Sequence, residues 1–279
     1  MLGGTGVTDG KPRFRQAGDT ALTIDLGGQA GLQQSRRVLE LESRIAALSE
    51  PGIVETVPAL ASLTVHYDPK LTSAARLIER LAEALAEQRA PQPGSRPDLA
   101  CLAAAAPSNF DEFDADAEEQ DLQPANRTWL IPACYDPPCG PDVTEVAGRC
   151  GLTPWQVTAL HACVSYRVLM IGFLPGFPYV GDLPPPLRLP RRTSPRSRVP
   201  AGSIAIATTM SVIYPHESPG GWHIIARTPL RLFDASRKEP SMLAPGDEVR
   251  FTPITGRDFE TMTAKVENGW TIEPTQCET

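Results

Sequence analysis

The sequence predicts an α+β protein: an N-terminal ferredoxin-like α/β domain followed by a closed β-barrel. Three observations carry that prediction. Helical and strand periods alternate through residues 1–90, strand-like pieces between Gly/Pro turns fill the chain beyond Tyr166, and an acidic, aperiodic stretch separates the two parts. At 279 residues the chain is long enough for two cores. The expected boundaries are 1–90 for the α+β domain, 91–126 for an acidic Pro/Gly linker and 127–279 for the barrel.

The first strand falls in "RFRQAGDTALTIDLG", where Leu22 and Ile24 alternate with polar neighbours. Val38, Leu41, Ile45 and Leu48 then recur at helical spacing, and "EPGI" at Glu50 to Ile53 ends that helix. "IVETVPALASLTVHYDP" reads as two short strands that put Leu63, Val65 and Tyr67 on one face. Leu71, Ala74, Ile78, Leu81 and Leu85 trace a second amphipathic helix. Strand, helix, strand pair, helix is the order of a ferredoxin-like unit. Between Ala90 and Asn126 the periods vanish into "APQPGSRPD" and "DEFDADAEEQD", which carries seven acids in eleven residues. Such a composition cannot bury enough apolar surface to offset ordering, so it reads as a tether.

Order resumes at the strand "RTWLIPACYD". "GPDVTEVAGRCG" reads as a helix with Pro141 near its first turn, closed near Gly151. "TPWQVTALHACV" follows with Thr153 as N-cap, Pro154 at the first helical position and Gln156 completing a capping box. Beyond Tyr166 every segment reads as a strand, including "SIAIATTMSVIY", "WHIIARTPLRLF" and "GDEVRFTPI", and many short strands with frequent turns predict a barrel.

A formal charge of −7 and a pI near 5.2 argue against nucleic acid or an anionic membrane as the main partner. The longest apolar run, Val168 to Leu174, is far too short to span a bilayer, and the N-terminus lacks an apolar leader core, so a cytoplasmic protein is expected. The phosphate-binding pattern Gly-x4-Gly-Lys-Ser/Thr is missing, and no lysine lies between Lys70 and Lys238. "GGTGVTDG" has no strand before it, so it reads as a plain glycine-rich terminus. Cys134-x4-Cys139 and His161-x-Cys163 match no usual zinc spacing; they read as packed thiols, with no metal expected.

Chemistry concentrates between Leu169 and Pro229, where proline fixes φ, glycine opens φ > 0, and rigid loops are held at chosen angles. Arg188, Arg191, Arg192, Arg196 and Arg198 lie in a stretch, Leu183 to His216, without Asp or Glu. Guanidinium groups held between prolines suit bidentate capture of carboxylate or phosphate. Arg196, between Pro195 and the "RVPAG" turn, and Arg198 are the expected anion binders, with Arg191 mostly solvated. Phe173, Pro175, Gly176 and Trp222 are the expected cleft walls. Pro200, Ser218, Gly220 and Gly221 complete the candidate binding set, and His216 is the acid/base candidate because its ordinary pKa lies near neutrality.

"GFLPGFPYVG", "PRRTSPRSRVPAGSIAIA", "YPHESPGGWHIIARTPLRLFD" and "LAPGDEVRFTPI", with "IPACYD…GPDV", resemble the family that contains the B subunit of 5-oxoprolinase, the Kip-type histidine-kinase inhibitor and allophanate hydrolase subunit 1, the carboxyltransferase domain, subdomain C and D type. The resemblance spans Arg127 to Ile254 strongly and Phe14 to Arg89 weakly. It implies a cyclophilin-like barrel that works beside two partners, a homologous barrel protein (the C subunit) and a third protein (the A subunit). It implies opening of 5-oxoproline to L-glutamate with ATP, which is bound in the complex and not by this chain alone. Kinase inhibition, or a part in a urea/allophanate carboxylase-hydrolase system, are the alternatives the same family implies.

Overall fold

The computed structural model describes residues 12–28, 31–86 and 127–275. The chain divides into two units, Met1–Ala90 and Pro91–Thr279. The linker expected at 91–126 and the N-terminal "GGTGVTDG" lie outside the described residues.

In the first unit the expected single strand is a hairpin. Strand β1 (Arg13–Gln16) turns at Gly18, whose φ of 68° a side chain would resist, into β2 (Ala21–Asp25). Helix α1 (Leu32–Leu48) stops at Ser49 in the left-handed region, and β3 (Ile53–Pro58) and β4 (Ser62–Tyr67) follow. Helix α2 (Ala74–Ala86) starts later than its predicted stripe, because Leu71 belongs to a turn whose N–H donates to the Asp68 carbonyl, and it stands exposed. The sheet order is β1-β2-β4-β3, antiparallel throughout. Leu22, Ile24, Leu63 and Val65 pack against Val38, Leu41 and Ile45 of α1 and Leu77 and Leu81 of α2. Each such fully buried side chain contributes about 1.5–3 kcal/mol relative to exposure.

The second unit begins with β5 (Thr128–Cys134), α3 (Val143–Cys150) and α4 (Pro154–Ala162). Helix α3 ends at Gly151 in the left-handed region, and the Thr153–Gln156 capping box on α4 is formed in both directions. Then come β6 (Ser165–Ile171), β7 (Pro178–Gly181), β8 (Arg196–Val199), β9 (Ser203–Ala207), β10 (Met210–Ile213), β11 (Ser218–Gly220), β12 (His223–Arg227) and β13 (Glu248–Ile254). Seven of these close a barrel in the order β10-β7-β6-β13-β5-β12-β9, while β8 and β11 form a separate ribbon. Closure is completed by β9 pairing with β10 on one side and by β5 running parallel to β13 on the other.

One element was not foreseen. Helix α5 (Gly256–Glu267) follows β13 with a capping box from Thr255 and Asp258, and none of its residues is buried. Without a buried stripe it left no apolar period to read.

Alternation along the barrel strands decides what faces where. Ile204, Ile206, Ile213 and Ile225 turn into the barrel core with Tyr166, Val168 and Phe251. Their neighbours Ala205, Ala207, Val212 and Ile224 face the opposite way, in a second cluster with Phe177, Tyr214 and Trp222. The outer face of β9, β10 and β12 thus carries its own aromatic layer.

Candidate functional site

Two buried aspartates organise the loops of the second unit, and Asp142 does so beside that layer. Asp247 accepts from Arg127 Nη2 at 2.9 Å, Trp129 Nε1 at 3.0 Å and the Ala244 N–H at 2.9 Å, tying the start of β5 to the turn before β13. Asp142, ahead of α3, accepts from Arg196 at 2.6 and 2.9 Å, from Arg192 at 3.4 Å and from the Ile224 N–H at 2.7 Å. One carboxylate therefore fixes α3, β8, β12 and the arginine loop together. Arg192 also meets Glu145 at 2.7 Å, and this bond is the main reason the Glu145 carboxyl lies below its ordinary range.

These pairings change the reading of the basic stretch. The fork of Arg196, expected to receive an anion, is filled from within the chain by Asp142. Arg198 is likewise paired, bidentate to Glu217 at 2.8 and 2.9 Å on the surface. A bidentate ion pair engages donors a ligand would use; the Arg196 pair is part-buried, whereas Arg198 keeps 77% of its side chain exposed. Arg188 donates to the Leu183 carbonyl. Arg191, expected to be solvated, is exposed, yet its Cζ sits 5.6 Å from the Trp222 ring centroid. Sequence reading missed it because its platform lies thirty-one positions away and only the fold brings them together.

The expected cleft walls are gathered in part. Phe173 is 65% exposed and has φ of 65°, an uncommon conformation for an aromatic residue. Its ring meets Phe177 edge-on at 5.4 Å; Phe177 in turn contacts Tyr179 at 5.2 Å and Tyr214 at 4.9 Å, and Tyr179 meets Trp222 at 6.1 Å. Pro175 is exposed at the same turn, and Gly176 is buried against Phe233 with no room for a Cβ. Gly220 lies so close under the Tyr214 hydroxyl that a Cβ there would overlap it, while Gly221 packs near Pro195. Pro200 is exposed beyond β8. Ser218 is buried in the β8–β11 ribbon with its hydroxyl lacking a partner among the described residues. Tyr179 and Tyr214 were not singled out from the sequence. Burial raises both phenols, Tyr214 to about 12, so both are neutral hydrogen-bond donors at physiological pH.

His216, the acid/base candidate, is exposed and set edge-on to Phe233 at 5.8 Å, outside this aromatic layer. His223 is fully buried, with Nε2 3.0 Å from the Pro190 carbonyl and Nδ1 3.8 Å from Glu145 Oε1. A carbonyl only accepts, so Nε2 carries a proton and holds the arginine loop in place. His161 lies inside the barrel, Nδ1 2.7 Å from the Tyr135 hydroxyl and Nε2 3.2 Å from Ser211 Oγ, stacked on Phe251 at 4.6 Å. Burial lowers its pKa to about 3. Cys134 and Cys139 are buried free thiols, and burial, reinforced by Cys134, pushes Cys139 up to about 12. Among the described residues no helix is long and apolar enough to cross a membrane.

The chain matches the family model described as carboxyltransferase domain, subdomain C and D, over residues 12–102 and 99–243. It is 38% identical over 236 residues to the B subunit of 5-oxoprolinase from Escherichia coli O157:H7, covering 85% of this chain and 93% of that protein. Among solved structures it resembles TTHA0988 at 33% identity and a TM-score of 0.63, covering 85% of this chain and 40% of that one, so it spans two fifths of that protein. The urea carboxylase of Kluyveromyces lactis, at 19% identity and a TM-score of 0.64 over 95% of this chain and 24% of its own, shares the fold. A family match over both units, joined to that identity across nearly the full length of a relative, places the chain: it belongs to the carboxyltransferase domain, subdomain C and D, family.

Proposed function

We propose that the chain is the B subunit of an ATP-dependent 5-oxoprolinase, a non-autonomous part of a cytoplasmic complex that opens 5-oxoproline to L-glutamate. The observation that carries this is the 38% identity over 93% of a protein named as the B subunit of 5-oxoprolinase. In this reading the first unit is ferredoxin-like and the barrel cyclophilin-like, and two partners, a homologous barrel protein and a third protein, complete the assembly.

The chemistry asks for partners. A lactam resists water because its C–N bond shares the carbonyl's electrons. Transfer of a phosphoryl group from ATP to the lactam oxygen would make the ring carbon electrophilic; water adds there, the C–N bond breaks as the ring nitrogen takes a proton, and a second water releases phosphate from the resulting acyl phosphate to leave the carboxylate. Among the described residues, three arginines of the basic loop are already engaged within the chain. Arg192, Arg196 and Arg198 are engaged by Asp142, Glu145 and Glu217, and the basic loop has no lysine. Nucleotide binding therefore falls to the complex. What this chain supplies is the aromatic face and the rigid loops around it, set before a partner or substrate arrives. A urea or allophanate reading is supported by a weaker sequence match, 26% identity over 93% of this chain and 14% of the urea amidolyase of Lachancea kluyveri, and by likeness of fold, which alone does not select a substrate.

The test is co-expression with the two partner proteins, following glutamate and ADP from 5-oxoproline and ATP while each component is omitted in turn. Turnover is expected only from the full set. Silence from the full set would overturn the lactam reading, and turnover by the isolated chain would overturn the shared site.

A further inference from the structure

Of the five arginines between Leu183 and His216, Arg191 is the one whose guanidinium has no protein acceptor among the described residues. Its position is nonetheless fixed from both sides. The Pro190 carbonyl accepts from His223 Nε2 at 3.0 Å, and the Arg192 N–H donates to the Gly221 carbonyl at 2.7 Å. The residues flanking Arg191 are thus bonded to the residues flanking Trp222, and the guanidinium is held over the indole by the backbone instead of by a partner carboxylate. Arg192 points its own side chain the other way, into Asp142 and Glu145. The charge of Arg191 also reaches the phenols of Tyr179 and Tyr214, opposing the rise that burial causes in each. Among the described residues neither hydroxyl has a hydrogen-bond partner.

Trp222 and Tyr214 are buried, at 6% and 2% exposed, and Tyr179 is half-buried, so the layer meets a ligand through the Arg191 guanidinium held over the indole, the Tyr179 phenol and the exposed Phe173 ring at the rim. The guanidinium presents a planar fork that suits a carboxylate, and the aromatic faces suit the methylene side of a small ring. Neutral phenols can donate to a carboxylate or an amide oxygen. We propose that Arg191, held over the Trp222 indole, anchors the carboxylate of a small cyclic-amide acid, with Tyr179 as a further donor to the ligand. The assignment rests on the lactam reading for the identity of the ligand and on this geometry for the anchor itself.

Wild type, Arg191→Gln and Arg191→Lys chains, each assembled with the partner proteins, give KM and kcat for 5-oxoproline. Loss of a charge-assisted pair is expected to raise KM for Arg191→Gln by about tenfold or more, with Arg191→Lys between the two and the thermal midpoint unchanged. An unchanged KM in Arg191→Gln overturns the anchor. If the wild-type complex does not consume 5-oxoproline, the lactam reading fails by itself, and the anchor is then decided by saturation-transfer NMR on the intact chain with 5-oxoproline and 2-pyrrolidinone, which lacks the carboxylate. A signal from 5-oxoproline alone that disappears in Arg191→Gln upholds it; equal signals from both, or none from either, overturn it.

Discussion

At the scale of single residues, the buried polar groups divide into those that hold the structure and those left available. Asp142 and Asp247 are satisfied by arginine forks and backbone N–H groups, the arrangement that makes a buried carboxylate tolerable. His161 belongs with them. Tyr135 and Ser211 bracket its ring inside the barrel, and burial keeps it neutral down to about pH 3 against an ordinary value of 6.5. The folded pKa is lowered, so above 6.5 both states are neutral and the contribution is fully present. As pH falls below 6.5 the unfolded chain takes up a proton that the fold refuses, and stability is lost until about 3. The slope from this one group approaches about 1.4 kcal/mol per pH unit. Urea midpoints measured from pH 7.5 to 4.5 should therefore fall more steeply for wild type than for His161→Gln, even though the variant starts lower. Parallel curves would show that His161 takes up its proton within the fold.

At the scale of elements, what the sequence disclosed depended on whether the signal was local. The capping box on α4 was legible because Thr153 and Gln156 are three positions apart and an apolar run follows. The same chemistry at Thr255 and Asp258 was not read as a helix start, since α5 buries nothing and so lacks a stripe. The β1–β2 hairpin was merged into one strand because its turn carries a single glycine and no Asn-Gly or Asp-Gly pair. In the candidate site, Trp222 and Phe173 stood out as aromatics beside Gly/Pro turns, while the filling of Arg196 by Asp142, fifty-four positions away, was invisible without the fold. The loop after β6 shows strain with a purpose. Phe173 holds φ at 65° within a tight turn in which the Leu174 N–H donates to the Gly172 carbonyl at 2.7 Å and the Phe177 N–H to the Leu174 carbonyl at 3.1 Å. A non-glycine residue there costs about 1 kcal/mol or more. Phe173→Gly relieves that cost and removes a side chain that is mostly in water, so the thermal midpoint should stay level or rise while substrate turnover by the complex falls. A clear drop in midpoint would mean that the ring contributes more to packing than its backbone costs.

At the scale of the whole molecule, each unit completes its own architecture. The first sheet takes its four strands from residues 13–67, and the barrel closes on itself with strands from residues 128–254. A closed barrel has no free edge waiting for a strand from elsewhere, and the first unit's two helices already cover the apolar residues of its sheet. The segment Pro91 to Pro124 mixes acids, alanines, prolines and glycines without an apolar period, a composition with little to bury. We propose that it is a tether whose length and charge matter less to folding than its continuity. Replacing Pro91 to Pro124 by a short Gly/Ser linker should leave the thermal midpoint of each unit almost unchanged, because a segment of that composition offers little apolar surface to bury and a change in connection length alters loop entropy only logarithmically, about 0.6 kcal/mol per doubling. Differential scanning calorimetry of the two chains decides the matter. A loss beyond about 10 °C corresponds to several kcal/mol in units of this size, more than a change of tether can account for, and would show that the segment packs.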